Sequence, residues 1–79
     1  MYLSIIEVKP IKNYQLQIKF ENNEWRIFDM NPYLNTGLFQ QLKDERKFNN
    51  VHVSLDSIAW ADDIDLDPEV LYMESIPLT

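Results

Sequence analysis

The side chains with the most chemical potential cluster toward the C-terminal end. Asp63-Ile64-Asp65-Leu66-Asp67 sets a carboxylate at every second residue, and Glu74 follows. Counted from Asp63, the four acids occupy positions 1, 3, 5 and 12 of a would-be calcium loop, positions that supply oxygen ligands to that ion. The sixth position is Pro68, where the sharp turn of such a loop takes glycine. The preceding residues read as a strand, where a calcium loop has a helix. Ile64 and Leu66, set between the acids, instead suit a segment with one side on a core. A metal-responsive or catalytic protein using the 62–74 carboxylates, with Asp63, Asp65, Asp67 and Glu74 as ligands, is thus the alternative reading, and no cofactor is expected.

Other routes to catalysis lack parts. The single histidine, His52, alternates outward in a strand opposite Val51, Val53 and Leu55 and has no orienting partner in sequence. Serines 4, 54, 57 and 75 have no glycine-flanked elbow, and one glycine cannot build a phosphate-cradling loop. There are no cysteines, so thiol nucleophiles, disulfides and thiolate metal sites are excluded. The expectation is a protein that is not an enzyme.

The charge distribution points to binding instead. All seven basic residues lie between Lys9 and Lys47, whereas residues 51–79 hold seven acids and no Lys or Arg. The whole chain has a formal charge of −6. Such a chain repels phosphate backbones, so direct nucleic-acid binding is not expected. The acidic segment suits a basic protein partner. Trp60 and Tyr72 are candidate anchors for it, because aromatic side chains dominate binding hot spots. Asp62, Asp63 and Asp65 are candidate charges. Of the two tryptophans, Trp25 is expected in the core, while Trp60 divides evenly between core and interface.

These residues need a frame, and 79 of them make one domain, 1–79, with a small core. Residues 14–20 alternate apolar and polar, the mark of a half-buried antiparallel strand. Glu21-Asn22-Asn23-Glu24 makes a turn, and residues 25–29 return as a second strand. Tyr2 to Lys9 is a third, ended by Pro10, which completes a meander. Leu34, Leu38 and Leu42 then form a helical stripe interrupted by Gly37, predicting short helical pieces over 32–35 and 37–43. Lys43 to Lys47 is a solvated charged segment, with Phe48 returning to the core. Strands are expected at 51–55 and 58–60 around an Asp56-Ser57 turn. Asp67-Pro68-Glu69 opens a last short helix, with Asp67 as cap. The tail from Ile76 is frayed or packed. The order β-β-β-α-β-β-α gives an α+β fold, a small, mostly antiparallel sheet covered by short helices. An exposed sheet edge leaves a homodimer open. No apolar stretch approaches the ~20 residues of a membrane span, and the N-terminus has no basic-then-apolar leader, so a cytoplasmic protein is expected.

Taken in order, these pieces resemble a bacterial family catalogued as domain of unknown function 2442. The resemblance runs through Tyr14-x-Leu16-x-Ile18-x-Phe20, Phe28-Asp29, Leu34, Gly37-x-Phe39-x-x-Leu42, Phe48 and Val51-x-Val53. It continues through Ile58-x-Trp60 and Asp65-Leu66-x-Pro68-x-x-Leu71-Tyr72. It spans nearly the whole chain, and its specificity lies in the ordered set rather than in any one piece. Asn22-Asn23 and Ser57 stand where turn glycines are common in such proteins. The resemblance implies a small α+β fold and no established activity. Its members are similar to small bacterial proteins that often sit beside another small protein, an arrangement like a toxin–antitoxin pair. It would make this chain the antitoxin-like member. Some relatives add a helix-turn-helix segment, and these 79 residues hold none. Asp29, Asp65 and Trp60 are the matching positions to test first, against plain roles as turn, cap and core residues.

Overall fold

The computed structural model describes residues 2–61 and 64–78. The meander forms β1 (Ile5–Ile11), β2 (Gln15–Phe20) and β3 (Trp25–Asp29), all antiparallel. Alternation in β2 does what its sequence asks, burying Leu16, Ile18 and Phe20 completely and turning Gln15, Gln17 and Lys19 the other way. β1 runs through Pro10, which an edge strand tolerates because it has a side without ladder bonds. Tyr14 lies outside β2, in a left-handed turn with Asn13 (φ 58° and 61°). Its hydroxyl donates to the Lys43 carbonyl, and its ring meets Phe48 edge-on at 5.3 Å.

Two 3-10 turns follow, Asn31–Tyr33 and Gly37–Lys43, close to the expected helical pieces. Gly37 has φ +47°, a left-handed backbone that glycine adopts without strain. The charged segment holds an unexpected helical turn, α1 (Glu45–Phe48). Asp44 caps it by accepting from the Arg46 amide, so local capping folds a stretch without an apolar stripe.

The remaining strands do not join the meander. β4 (His52–Ser54), β5 (Ser57–Trp60) and β6 (Ile64–Leu66) form a second antiparallel sheet. α2 (Pro68–Glu74) starts as expected, with Asp67 accepting from the Glu69 amide. The tail then pairs with β3 as β7 (Ile76–Pro77), giving the larger sheet the order β1-β2-β3-β7.

The core lies between the sheets. Leu16, Ile18, Phe20 and Phe28 of the larger sheet share one cluster with Ile58, Trp60 and Ile64 of the smaller one, Leu42, Phe48 and Leu71. The expected single sheet under helices is thus two small sheets and short helices around a common core. The Ile5 amide ties the sheets together by donating to Asp56 at the tip of the β4–β5 turn, 3.0 Å away.

Candidate functional site

The outer face of the smaller sheet carries a concavity beside the acidic segment. Register sets His52, Ala59 and Asp65 side by side across β4, β5 and β6, with Ser54 opposite Ser57 one pair further along. Small side chains at 54, 57 and 59 leave a shallow cavity of about 330 Å³. Asp65, Asp67, Pro68 and Leu55 rim it. Ser57 donates to the Leu66 carbonyl, which ties β5 to β6 beneath the cavity.

Leu55 is the unexpected member. The sequence suggested an inward strand position for it, but Leu55 and Asp56 form the two-residue turn of the hairpin, both left-handed (φ 48° and 69°). Two positive φ angles match the right-handed twist of the flanking strands, which is why hairpins favour them. A bulky residue in that region costs about 1–2 kcal/mol. The Leu55 side chain is also 95% exposed. An apolar residue therefore stands in water, at a strained position, on the rim of an acidic cavity.

The other sequence candidates fall in different places. Asp62 and Asp63 lie outside the described residues. Asp65 is exposed on β6, and Asp67 is occupied in capping α2. Glu74 accepts from the Tyr33 hydroxyl, away from Asp65 and Asp67. Among the described residues, no three His, Asp or Glu side chains gather as a metal would require. Asp29 accepts from the Asn31 amide (3.0 Å) and side chain (2.8 Å), which makes it a turn residue.

Trp60 is a core residue. It is 3% exposed, its indole N–H donates to the Phe48 carbonyl at 2.9 Å, and its ring lies 6.2 Å from that of Phe48. Its strand places it opposite Ile64 on the inner side. Trp25, expected in the core, is instead half-buried on the outer face of the larger sheet. The facing of β3 accounts for Trp25. Pairing sets Arg26 opposite Ile18 and Phe28 opposite Leu16, so β3 turns an arginine inward and Trp25 and Ile27 outward.

Tyr72 is tied into the network that makes this possible. Arg26, 9% exposed, donates through Nε to Ser75 Oγ (2.6 Å) and through Nη2 to the Ser75 carbonyl (2.8 Å). It also pairs with Glu24 and stacks 4.3 Å from the Tyr72 ring. The Tyr72 hydroxyl donates to Glu24 at 2.9 Å. Hydrogen bonds from Asn22 and Tyr72, with the Arg26 charge, hold the Glu24 carboxyl below its ordinary range. The same bond to Glu24, with burial, raises the Tyr72 phenol. The bond to Glu74, helped by burial, pushes the Tyr33 phenol up to about 12. No helix among the described residues is long and apolar enough to cross a membrane.

Comparison with known families bears on the same span. A family model described as a protein of unknown function, DUF2442, matches residues 5–77, and the chain belongs to that family. No curated protein and no solved structure matched it.

Proposed function

We propose that this family member is a non-enzymatic protein-interaction module. Its ligand is a basic, partly apolar segment of another protein, received on the outer face of β4–β6. The observation that carries the reading is Leu55, exposed and strained beside Asp65 and Asp67 on the rim of a small-residue cavity. Strained, exposed residues concentrate where a surface is built for contact. Asp62 and Asp63 adjoin Asp65 in sequence, and no Lys or Arg follows Lys47 to neutralise them. A Lys or Arg side chain lying over Ala59 would find the Asp65 and Asp67 carboxylates and small side chains that leave room for it. Leu55 would cover the apolar part of the same segment. A partner encoded beside the gene, as in a two-gene toxin–antitoxin pair, would meet this description if its surface were basic.

The test is capture from host lysate at low and high salt, followed by binding measurements on the recovered partner. Reversing Asp62, Asp63 and Asp65 together to Lys slows association at low salt by roughly tenfold or more, because charges around an interface act chiefly on the encounter rate. Leu55→Ser speeds dissociation and leaves association nearly unchanged. Unchanged affinity of the triple variant at low salt would sink the reading.

A further inference from the structure

The smaller sheet has one guarded edge and one open edge. On its β4 side the Ile5 amide bonds to Asp56 and β1 packs alongside. On its other side the last strand is β6, in unbroken register with β5 and without proline. The larger sheet blunts both of its edges. β1 carries Pro10 and a register shift between Ile5 and Glu7, and β7 is two residues long and ends in Pro77. We infer that β6 is a docking edge. There the basic partner proposed above (the reading on which this rests) pairs an extended apolar–basic–apolar segment as an antiparallel fourth strand.

Backbone direction leaves the edge ready to pair. The Leu66 carbonyl faces β5, where it accepts from the Ser57 hydroxyl. The amide and carbonyl of one strand residue point to the same side, and those of its neighbour point to the opposite side. The Asp65 amide and carbonyl therefore face the open edge. Among the described residues no backbone bond outside the ladders engages them. Antiparallel pairing suits so short an edge, because a single opposite residue then exchanges both bonds with Asp65.

The side chains set which strand fits. Directly opposite residues share a face of the sheet. The partner residue opposite Asp65 lies on the outer face, so a Lys or Arg there meets the Asp65 carboxylate and extends toward the cavity above Ala59. Its two neighbours turn to the inner side. A notch of about 320 Å³ opens there, where Leu38 and Phe39 of the 3-10 turn stand beside Ile64. Leu38 is 58% exposed, apolar surface that an apolar neighbour would take out of water.

The same carboxylate rejects a second copy. Two β6 edges paired about Asp65 would set like charges directly opposite each other, which is destabilising, on chains that each carry −6. A basic residue turns that repulsion into attraction. Strand addition thus has a built-in selection for charge.

The test uses the full isotope-labelled chain and a synthetic peptide of about seven residues, alternating valine and lysine. At up to ~2 mM the peptide shifts the amide resonances of Ile64, Asp65 and Leu66 and slows hydrogen exchange of the Asp65 amide at least about fivefold. Methylating the backbone nitrogen of every lysine keeps the charges, removes the donors to Asp65 and weakens binding at least about tenfold. Gathering the valines and lysines into separate blocks does the same. Asp65→Lys reverses the preference toward a valine–glutamate peptide, and Leu38→Ser weakens the valine–lysine peptide about threefold or more. Both sites are exposed, and an unchanged far-UV spectrum checks the fold. Binding that tolerates methylation and leaves Asp65 exchange unaltered overturns edge pairing, while its dependence on lysine would keep the face reading above. Equal protection by a valine–serine peptide overturns the choice of a basic segment in both. No binding by any of the peptides at ~2 mM overturns the inference outright.

Discussion

The two sheets present opposite kinds of surface to solvent. The outer face of the larger one is charge-balanced and apolar along β3 and β7, with a tryptophan at its margin. The outer face of the smaller one is acidic and paved with Ser54, Ser57 and Ala59, and its apolar feature is one leucine on a turn. The tryptophans divide accordingly: Trp60 fastens the smaller sheet to Phe48 inside the core, and Trp25 lies outside it. The lesson is that residue type alone does not mark an interface. The pairing register decides which of two similar side chains reaches water: in β3 it turns Arg26 and Phe28 to the buried face and Trp25 to the other.

Truncating the two tryptophans breaks or sharpens this contrast most strongly. Trp60→Ala removes a fully packed ring and its hydrogen bond and costs about 3–5 kcal/mol, enough to unfold much of a domain this small. Trp25→Ala costs about 1 kcal/mol or less, because its site needs no cavity to be left behind. Denaturant midpoints for the two variants measure the difference. Equal losses would mean that both rings are structural and that the outer face is not a free surface.

Arg26 gives the next largest effect. Arg26→Ala removes the donor to Ser75 and the ion pair with Glu24 and strips the stacking partner from Tyr72, at a cost of about 2–4 kcal/mol. Arg26→Met keeps the methylene stem and the fit against Tyr72, and recovers a substantial part of that loss. If contacts other than Arg26 suffice to hold the facing of β3, the Met variant preserves Trp25 in its half-buried environment, seen as unchanged quenching of its fluorescence in a Trp60→Phe background. A blue shift on Arg26→Met would mean that β3 has flipped its faces.

Much of the frame is legible in the sequence alone. Alternation over Leu16, Ile18 and Phe20 located β2 and its buried face, because a period of two has one solution when one face must be dry. Asp67-Pro68 marked the start of α2 through capping and a fixed φ. What escaped depended on partners distant in sequence. Trp25-Arg26-Ile27-Phe28 has apolar residues on both parities, so the sequence offers two facings; contacts with Ser75 and Tyr72, almost fifty residues on, select the one with arginine inside. Ile76-Pro77 is too short to read as a strand and becomes one only beside β3. The separate second sheet escaped for the same reason, since local pattern reports strands but not their neighbours. At the candidate site, the acids were visible as a run. Leu55 was not, because its parity with Val53 put it in the strand and set the expected turn one residue late, at Asp56-Ser57 instead of Leu55-Asp56.

The smallest effect concerns how α2 is held against the turn that follows β3. Tyr33 donates to Glu74, which raises its phenol from 10.0 to about 12. A phenol whose folded value is raised keeps its proton longer in the folded state, so the folded chain binds more protons than the unfolded one between the two values. The stabilisation is complete below pH 10 and is lost as pH rises from 10 toward 12. Solvent near this largely accessible pair screens the effect to a fraction of a kcal/mol, on the order seen for exposed polar pairs. Tyr33→Phe therefore lowers the melting temperature slightly at pH 7 and shallows the alkaline loss over that window. The difference between the melting curves of the two chains isolates Tyr33. A constant difference from neutral pH through 12 would show that the bond to Glu74 does not hold the helix in solution.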